Sequence, residues 1–196
     1  MKIQYQITFH SFWHSSSGLS GGVYADSLVI KDDQNIPYLP GRTVKGLLRD
    51  SAYRVKYFSE GALVTDDFIY RVFGERPNST QQVNEVKTLE AEAFFGNAHV
   101  SSFVKAELQK TPELINQLYD IHASTKINEK GVAEDHSLRQ MEIVVPLTLY
   151  GQIDHFPESE VFEKQLHYCM QGVKRLGLNR TRGLGRCTFS IINKTA

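Results

Sequence analysis

Cysteine is nearly absent from the sequence, since Cys169 and Cys187 are the only two in 196 residues. Both are isolated, one in a helical pattern and one in a predicted strand, so they form neither a zinc motif nor a disulfide framework. This usage is typical of a reducing compartment, and we expect the protein to be cytoplasmic. No apolar run approaches the length of a membrane-spanning helix, and the first residues do not form a signal peptide. We therefore expect no membrane partner.

The sequence also lacks an excess of charge of either sign, because 22 Lys and Arg residues balance 22 Asp and Glu residues. This balance argues against a protein that coats nucleic acid by bulk charge. It leaves room for a local basic groove, since polyanion binding depends on where the cations lie. Hydrophobic residues make up 41% and charged residues 22% of the chain, which indicates a globular protein without recognisable repeats.

The stretch over residues 36–49 predicts a rigid extended segment followed by a helix over residues 42–58. Pro37 and Pro40 favour extended backbone, and Gly41 allows a change of direction. One face of the helix is apolar and is expected to pack on the core. Another face carries cations at spacings of three, four and seven, namely Arg42, Lys45, Arg49 and Lys56. Cations in the first turn oppose the helix dipole, so a docked anion would explain them, and a solvated charged face explains them equally well.

A loop over residues 177–186 contains three glycines and three arginines. It separates a helix predicted over residues 157–176 from a last strand predicted over residues 187–193. Backbone amides and guanidinium groups in such a loop can bind phosphates. The loop lacks the Lys-Ser/Thr ending of a P-loop and precedes a strand, so a nucleoside triphosphatase is not favoured. A tight connection is the alternative, and the density of arginine favours phosphate binding by Arg180, Arg182 and Arg186.

Three titratable residues near an N-terminal Gly-rich loop are candidates for chemistry. Asp26 lies between this loop and a strand predicted over residues 26–31. Its carboxylate there can bind a divalent cation, act on a proton or cap a turn, and spacing alone favours the cap. His10 and His14 can move protons near neutral pH, but no Ser, Cys or carboxylate lies at a recognisable spacing from them. Local hydrogen bonding is the favoured interpretation for both histidines.

A long hairpin is predicted over about residues 121–153. Its first part is polar and lacks a helical period, and residues 137–153 are strongly β in character. The tip, near residues 128–135, is expected to project from the body. Lys126, Lys130 and Arg139 on this hairpin would face a polyanion, and a solvated hairpin explains their charges equally well.

The order of the predicted elements indicates an α+β fold with a ferredoxin-like core and insertions, in a single domain over residues 1–196. Alternating apolar residues predict a first strand over residues 3–9. Thr65 predicts the start of a short helix, because two acids follow it in the first turn. The polar, turn-rich residues 74–88 predict a loop. A strand over residues 93–100 and a short helix over residues 112–119 complete the pattern.

Three segments together resemble the RAMP superfamily of CRISPR-associated proteins. Residues 21–49 resemble its Gly-Gly, Asp-Ser and Pro-Gly-Arg elements, and residues 177–186 resemble its glycine-rich loop. Residues 125–146 resemble its protruding thumb hairpin. Within the superfamily, the resemblance is to the repeated backbone subunit of type III (Csm/Cmr-like) interference complexes.

The resemblance implies a modified RNA-recognition-like core that binds the backbone of a guide RNA (crRNA). Copies of the subunit would stack along that RNA with other CRISPR complex subunits, and each thumb would splay the guide–target duplex. Asp26 stands at the place of the family's cleaving acid, which acts on target RNA with a divalent metal, Mg²⁺ or Mn²⁺. In this interpretation Asp26 contacts the metal, and the RNA-binding residues are Arg42, Lys45, Arg49, Lys126, Arg139, Arg180, Arg182 and Arg186.

Two alternatives stay open beside this endoribonuclease hypothesis. The first is a non-catalytic scaffold or capping subunit that binds RNA in the same kind of complex. The second is a guide-processing endoribonuclease that uses His10 or His14 as acid or base and needs no metal.

Overall fold

The computed structural model describes residues 1–75 and 90–195. Most of the loop predicted over residues 74–88 lies outside the described residues. Within the described ranges the strands are β1 (Lys2–Phe9), β2 (Phe94–Phe95), β3 (Tyr119–Ser124), β4 (Arg139–Val144), β5 (Thr148–Asp154) and β6 (Cys187–Thr195). The α-helices are α1 (Gly41–Phe58), α2 (Asp66–Phe73), α3 (Ser102–Lys110), α4 (Glu113–Asn116) and α5 (Glu160–Gly172). No helix in the described part of the chain is long and apolar enough to cross a membrane.

The central sheet has the order β2-β5-β1-β6, and every neighbouring pair is antiparallel. In this order β5 lies between β1 and β2, which is the split βαβ arrangement of ferredoxin-like folds. The helices α1 and α5 pack against each other, and α5 also contacts β6. The α+β fold with a ferredoxin-like core is thereby confirmed.

Alternation along β1 places its apolar side chains in the core, because successive residues of a strand point to opposite faces. Ile3, Tyr5, Ile7 and Phe9 are buried. The helices cover this face with the buried side chains Val44, Leu48, Ala52, Phe162, Leu166, Cys169 and Met170. The predicted helix start at Thr65 is also correct, since its side chain accepts a hydrogen bond from the amide of Phe68.

The hairpin predicted over residues 121–153 is shorter than expected. Strands β3 and β4 pair with each other and form a two-stranded hairpin over residues 119–144, called the thumb hairpin below. Residues 148–154 form β5, which pairs with β1 in the central sheet. The β-rich run is divided near Pro146, because proline has no amide to contribute to a ladder. The flanking residues bond elsewhere: Val145 donates to Leu118 and Leu147 accepts from Phe9.

Three further predictions of element boundaries are wrong. Residues 26–31 do not form a continuous strand but make isolated bridges through Ser27, Val29 and Lys31. The strand predicted over residues 93–100 is reduced to β2 and bridges at Ala98 and His99. Helix α5 ends at Gly172 rather than near residue 176, because residues 174–176 instead bond to the backbone of residues 185–187.

Candidate nucleic-acid interface

Asp26 is exposed and attached to β4 of the thumb hairpin, near the end of the β3–β4 ladder that leads to the tip. Its Oδ2 atom accepts a hydrogen bond from the amide of Gln140 at 2.8 Å. Its own amide donates to the carbonyl of Gln140, also at 2.8 Å. The following residue, Ser27, makes a parallel bridge to Met141. The backbone after Asp26 therefore runs beside β4, on the side opposite β3, and one carboxylate oxygen is already engaged.

Glu142 is the buried centre of this junction, since its side chain is 3% exposed. Its Oε2 atom accepts from the amide of Val29 at 2.9 Å, and its Oε1 atom accepts from Lys31 Nζ at 2.7 Å. Its own amide donates to the carbonyl of Ser27 at 3.0 Å. Glu142 thus ties residues 27–31 to β4 and holds the segment that carries Asp26. Spacing in the sequence gave no signal for this residue, because its partners lie more than a hundred positions away.

His14 is buried with both ring nitrogens engaged. Nδ1 lies 2.6 Å from the carbonyl oxygen of Glu142, and Nε2 lies 3.1 Å from the hydroxyl of Ser27. Burial lowers the pKa of His14, while the carbonyl contact and the charge of Glu142 act in the opposite direction. His10 is exposed, and its Nε2 atom lies 2.7 Å from the hydroxyl of Thr188. Both contacts agree with histidines that serve local hydrogen bonding.

The cationic face of α1 is divided between paired, half-buried and exposed residues. Lys56 binds Asp66 at 2.5 Å, so this end of the face is neutralised. Arg42 is exposed, whereas Lys45 and Arg49 are half-buried. Burial and the charge of Arg49 lower the pKa of Lys45. Among the described residues the buried Nε atom of Arg49 has no hydrogen-bond partner.

The first turn of α1 offers few free amides to an anion. The amide of Gly41 donates to Asn97 Oδ1 at 2.9 Å, and those of Thr43 and Val44 donate to the carbonyl of Pro40. A docked anion, one of the two explanations that the sequence left open, would therefore be bound by the side-chain cations rather than by these three amides. Gly41 is required here for another reason, since a Cβ atom would lie 1.8 Å from the carbonyl oxygen of Phe95.

The glycine-rich loop places a row of cations in solvent. A short 3₁₀ turn at Arg180–Arg182 carries two of them, and Arg186 follows just before β6. Two glycines permit a close approach to neighbouring backbone: a Cβ atom at Gly177 would lie 2.1 Å from the carbonyl of His14. At Gly185 it would lie 1.7 Å from the carbonyl of Leu176. The loop is thus fixed at both ends while its arginines stay exposed.

A groove of about 610 Å³ separates α1 from this loop. Arg180 lines it on one side, and Asp50, Tyr53 and Arg54 of α1 line it on the other. The two basic elements do lie side by side, but Arg42, Lys45 and Arg49 do not line the groove. Three further cations of this surface were not predicted from the sequence, namely Arg54, Lys174 and Arg175. Lys174 and Arg175 directly precede the loop in the sequence, and this adjacency could have identified them as part of the basic surface.

The two candidate cations of the thumb hairpin have different surroundings. Lys126 lies near the tip and forms an ion pair with Glu134 at 2.9 Å. Arg139 is exposed at the start of β4, directly before Gln140, the residue that binds Asp26. Arg139 is therefore one position from the residue that binds Asp26, whereas Lys126 is partly neutralised.

A metal at Asp26 would have one carboxylate from this chain. No group of three or more His, Cys, Asp or Glu side chains within residues 1–75 and 90–195 is arranged to hold a metal. Mg²⁺ is commonly bound through one or two carboxylates together with substrate phosphates and water. The exposed Asp26 fits that mode, in which RNA phosphates complete the coordination.

The model of the RAMP superfamily matches residues 6–188, so the chain belongs to the RAMP superfamily. Its fold is similar to solved chains of type III-B Cmr-beta complexes. One is from the complex bound to cognate target RNA, with a TM-score of 0.70, 14% identity and coverage of 97% of both chains. Another is from the apo state, with a TM-score of 0.67, 14% identity and coverage of 99% of this chain and 98% of that chain. No curated protein sequence matches the chain.

Proposed function

We propose that the chain is an RNA-binding subunit of a type III CRISPR effector complex. It holds guide RNA together with target RNA and assembles with copies of itself and other subunits. The observation that carries this proposal is a row of exposed cations in and before the glycine-rich loop, namely Lys174, Arg175, Arg180, Arg182 and Arg186. Arg175 also donates to the carbonyl of Arg180 at 2.9 Å, which holds these two cations together. In a chain of zero net charge, such a row creates a local positive surface for phosphates. Membership of the RAMP superfamily and the fold of the Cmr-beta chains support the same function.

RNA binding is tested with the full-length chain and a labelled single-stranded RNA. We expect the variant R175A/R180A/R182A to bind about tenfold or more weakly, because phosphate contacts supply most of the affinity for RNA of any sequence. A matched control is K2A/K110A/K194A, which removes three surface cations that pair with acids. Equal affinities for the two triple variants would contradict the proposed surface.

We further propose that Asp26 takes part in cleavage of target RNA. Its carboxylate is exposed, and the exposed Arg139 directly precedes Gln140, the residue that binds this carboxylate, so we propose that one phosphodiester contacts both side chains. Mg²⁺ or Mn²⁺, held by Asp26 and RNA phosphates, would stabilise the charge that develops in the transition state. Asp26 would hold such a metal in a fixed position, because the hydrogen bond from the amide of Gln140 fixes its carboxylate. Outside the groove, we propose that α1 binds the guide RNA through Arg42, Lys45 and Arg49. The thumb hairpin would contact RNA through Lys126.

The substitution Asp26→Asn separates the charge of this residue from its structural contact. Asparagine keeps an acceptor oxygen for the amide of Gln140 but loses the carboxylate. We expect the assembled complex to bind target RNA normally and to cleave it at least about a hundredfold more slowly. Asp33→Asn, in an exposed turn nearby, is the control that should cleave normally. Unchanged cleavage by Asp26→Asn would contradict the catalytic assignment.

A non-catalytic scaffold is the second candidate, and one observation favours it. Asp26 uses both its carboxylate and its amide to hold Gln140, which is a sufficient structural role. In that case the wild-type complex binds target RNA and yields no metal-dependent products. Incubation of the assembled complex with labelled target RNA, with Mg²⁺ or with a chelator, separates the two functions.

A further inference from the structure

An apolar pocket of about 350 Å³ lies at the end of α1 and adjoins the basic groove. Its walls include the side chains of Val55, Phe58 and Leu63, and its floor includes Gly172, where α5 ends. A Cβ atom at Gly172 would lie 2.3 Å from Ser51 Oγ, so α1 and α5 are in close contact beneath the pocket. The two helices therefore hold the floor and walls of the pocket in place.

Two aromatic side chains at this end of α1 are directed into solvent. Phe58 is 82% exposed and Tyr57 is 79% exposed. Their rings meet edge to face, with centroids 5.3 Å apart. Packing of the core does not explain such side chains, because most of their surface stays in water. Exposed apolar residues that border a pocket and have a polar rim are typical of binding sites.

The apolar pocket and the basic groove form one continuous surface, since Arg54 and Gly172 line both. Arg54 and Phe58 are four residues apart on α1, which places their Cβ atoms about 5–6 Å apart on one face of the helix. Arg175 and Arg180 line the other side of the groove. One ligand can therefore contact these cations and the Phe58 ring at the same time.

The charges around the pocket indicate the chemical class of this ligand. Within the described part of the chain, Arg54 is the one charged residue that lines the pocket, so no carboxylate there repels a phosphate. The groove adds further cations and a single acid, Asp50. Single-stranded RNA matches both halves of the surface, because its phosphates bind cations and its bases stack on exposed aromatic rings. A protein segment would need an apolar anchor and several acids to match the same surface.

We infer that Phe58 stacks on a nucleobase of the RNA whose phosphates bind in the basic groove. The inference rests on the proposed RNA-binding function and adds a contact with bases to the contacts with phosphates. Arg54 binds a phosphate next to the stacked base, and Tyr57 packs against the Phe58 ring. Because every base has a π-face, this contact strengthens binding without selecting a sequence.

The test measures the affinity of the full-length chain for two single-stranded RNAs of equal length and charge. One is an oligouridylate, and the other is the same backbone without bases. We expect Phe58→Ala to bind the oligouridylate about tenfold more weakly than the wild type, because one stacked base is lost. Both proteins should bind the abasic RNA equally. The dependence of affinity on salt should also be equal, since the variant removes no phosphate contact.

Further variants separate stacking from apolar packing. Phe58→Trp keeps an aromatic ring and should bind the oligouridylate at least as tightly as the wild type. Phe58→Leu keeps an apolar side chain without a ring and should behave as Phe58→Ala. The control is Phe103→Ala, which removes an aromatic residue of α3 that is 73% exposed and lines neither the pocket nor the groove. This control should behave as the wild type.

Three results would contradict these expectations. An equal loss of affinity for both RNAs in Phe58→Ala, or no loss for the oligouridylate, overturns the inference. A Phe58→Ala chain that binds both RNAs normally but enters fewer assembled complexes would assign the surface to a protein partner, which also overturns it. Failure of the wild type to bind the oligouridylate at all overturns the proposed RNA-binding function itself.

Discussion

At the scale of residues, Glu142 does the most to hold the candidate site. It is a buried carboxylate. One oxygen accepts a hydrogen bond from the amide of Val29, and the other pairs with the ammonium of Lys31. We expect Glu142→Gln to lower the free energy of unfolding by about 1–3 kcal/mol, because the partly buried ammonium of Lys31 loses its counter-charge. Urea unfolding measures the change. Glu134→Gln, which disrupts the exposed pair with Lys126, should cost less than about 0.5 kcal/mol, and equal losses would contradict this difference.

His14 gives the fold a pH dependence of definite sign. Burial lowers its pKa below the ordinary value of 6.5, so below that pH the unfolded chain binds a proton that the folded chain does not. Stability is therefore complete above about pH 6.5 and falls as the pH drops toward the lowered pKa of the folded state. His99 acts in the same direction, since burial lowers its pKa as well.

Urea unfolding at about pH 5 and about pH 7.5 checks this prediction. The wild type should lose stability at the lower pH. His14→Gln cannot take up the proton and should lose less between the two pH values, whatever its stability at neutral pH. A variant with the same pH dependence as the wild type would contradict the assignment to His14.

At the scale of elements, the packing of α1 on α5 depends on a glycine. A Cβ atom at Gly172 would lie 2.3 Å from Ser51 Oγ, a buried hydroxyl that donates to the carbonyl of Cys169 at 2.7 Å. We expect Gly172→Ala to cost about 1–3 kcal/mol in thermal or urea unfolding, because the hydroxyl must move and give up its bond. Gly46→Ala on α1 meets nothing within 4 Å and should stabilise by up to about 1 kcal/mol.

A double variant tests the cause of this loss. Ser51→Ala removes the atom that the new methyl group would meet, so Gly172→Ala should cost much less in that background. Additive losses would indicate that the α1–α5 contact is disturbed elsewhere.

Elements whose signals are local could be predicted from the sequence. The alternation in β1, the N-cap of α2 and the two faces of α1 each depend on a few neighbouring residues. Boundaries fixed by distant partners could not be predicted: α5 stops at Gly172 because residues 174–176 pair with the backbone near Gly185. The division of the β-rich run between the thumb hairpin and β5 likewise depends on which strand each half meets.

The candidate site was predictable to a similar extent. Asp26 and the arginines of the loop follow from residue type and from resemblance to a family. Their surroundings do not follow, because Gln140, Glu142 and Arg54 reach the site only through the tertiary fold. The assignment of roles to these residues stays a prediction until the variants above are measured.

At the scale of the whole molecule, zero net charge makes RNA binding a matter of local arrangement. We expect the logarithm of the affinity for single-stranded RNA to fall linearly with the logarithm of the salt concentration. Each phosphate contact contributes a slope of about 0.7, so R175A/R180A/R182A should reduce the slope by about 2. Titrations at several salt concentrations measure it. A variant that weakens binding with an unchanged slope would show that these arginines do not contact phosphates.

The position of β1 at the centre of the sheet has a consequence for the kinetics of folding. Ile7 on β1 pairs with Leu149 on one side and with Phe189 on the other. This strand therefore waits for partners that are synthesised more than a hundred residues later. The chain must lose the conformational entropy of closing these long loops before strand pairing lowers its free energy. We therefore expect folding to be slow and the apolar residues of β1 to be exposed in the nascent chain.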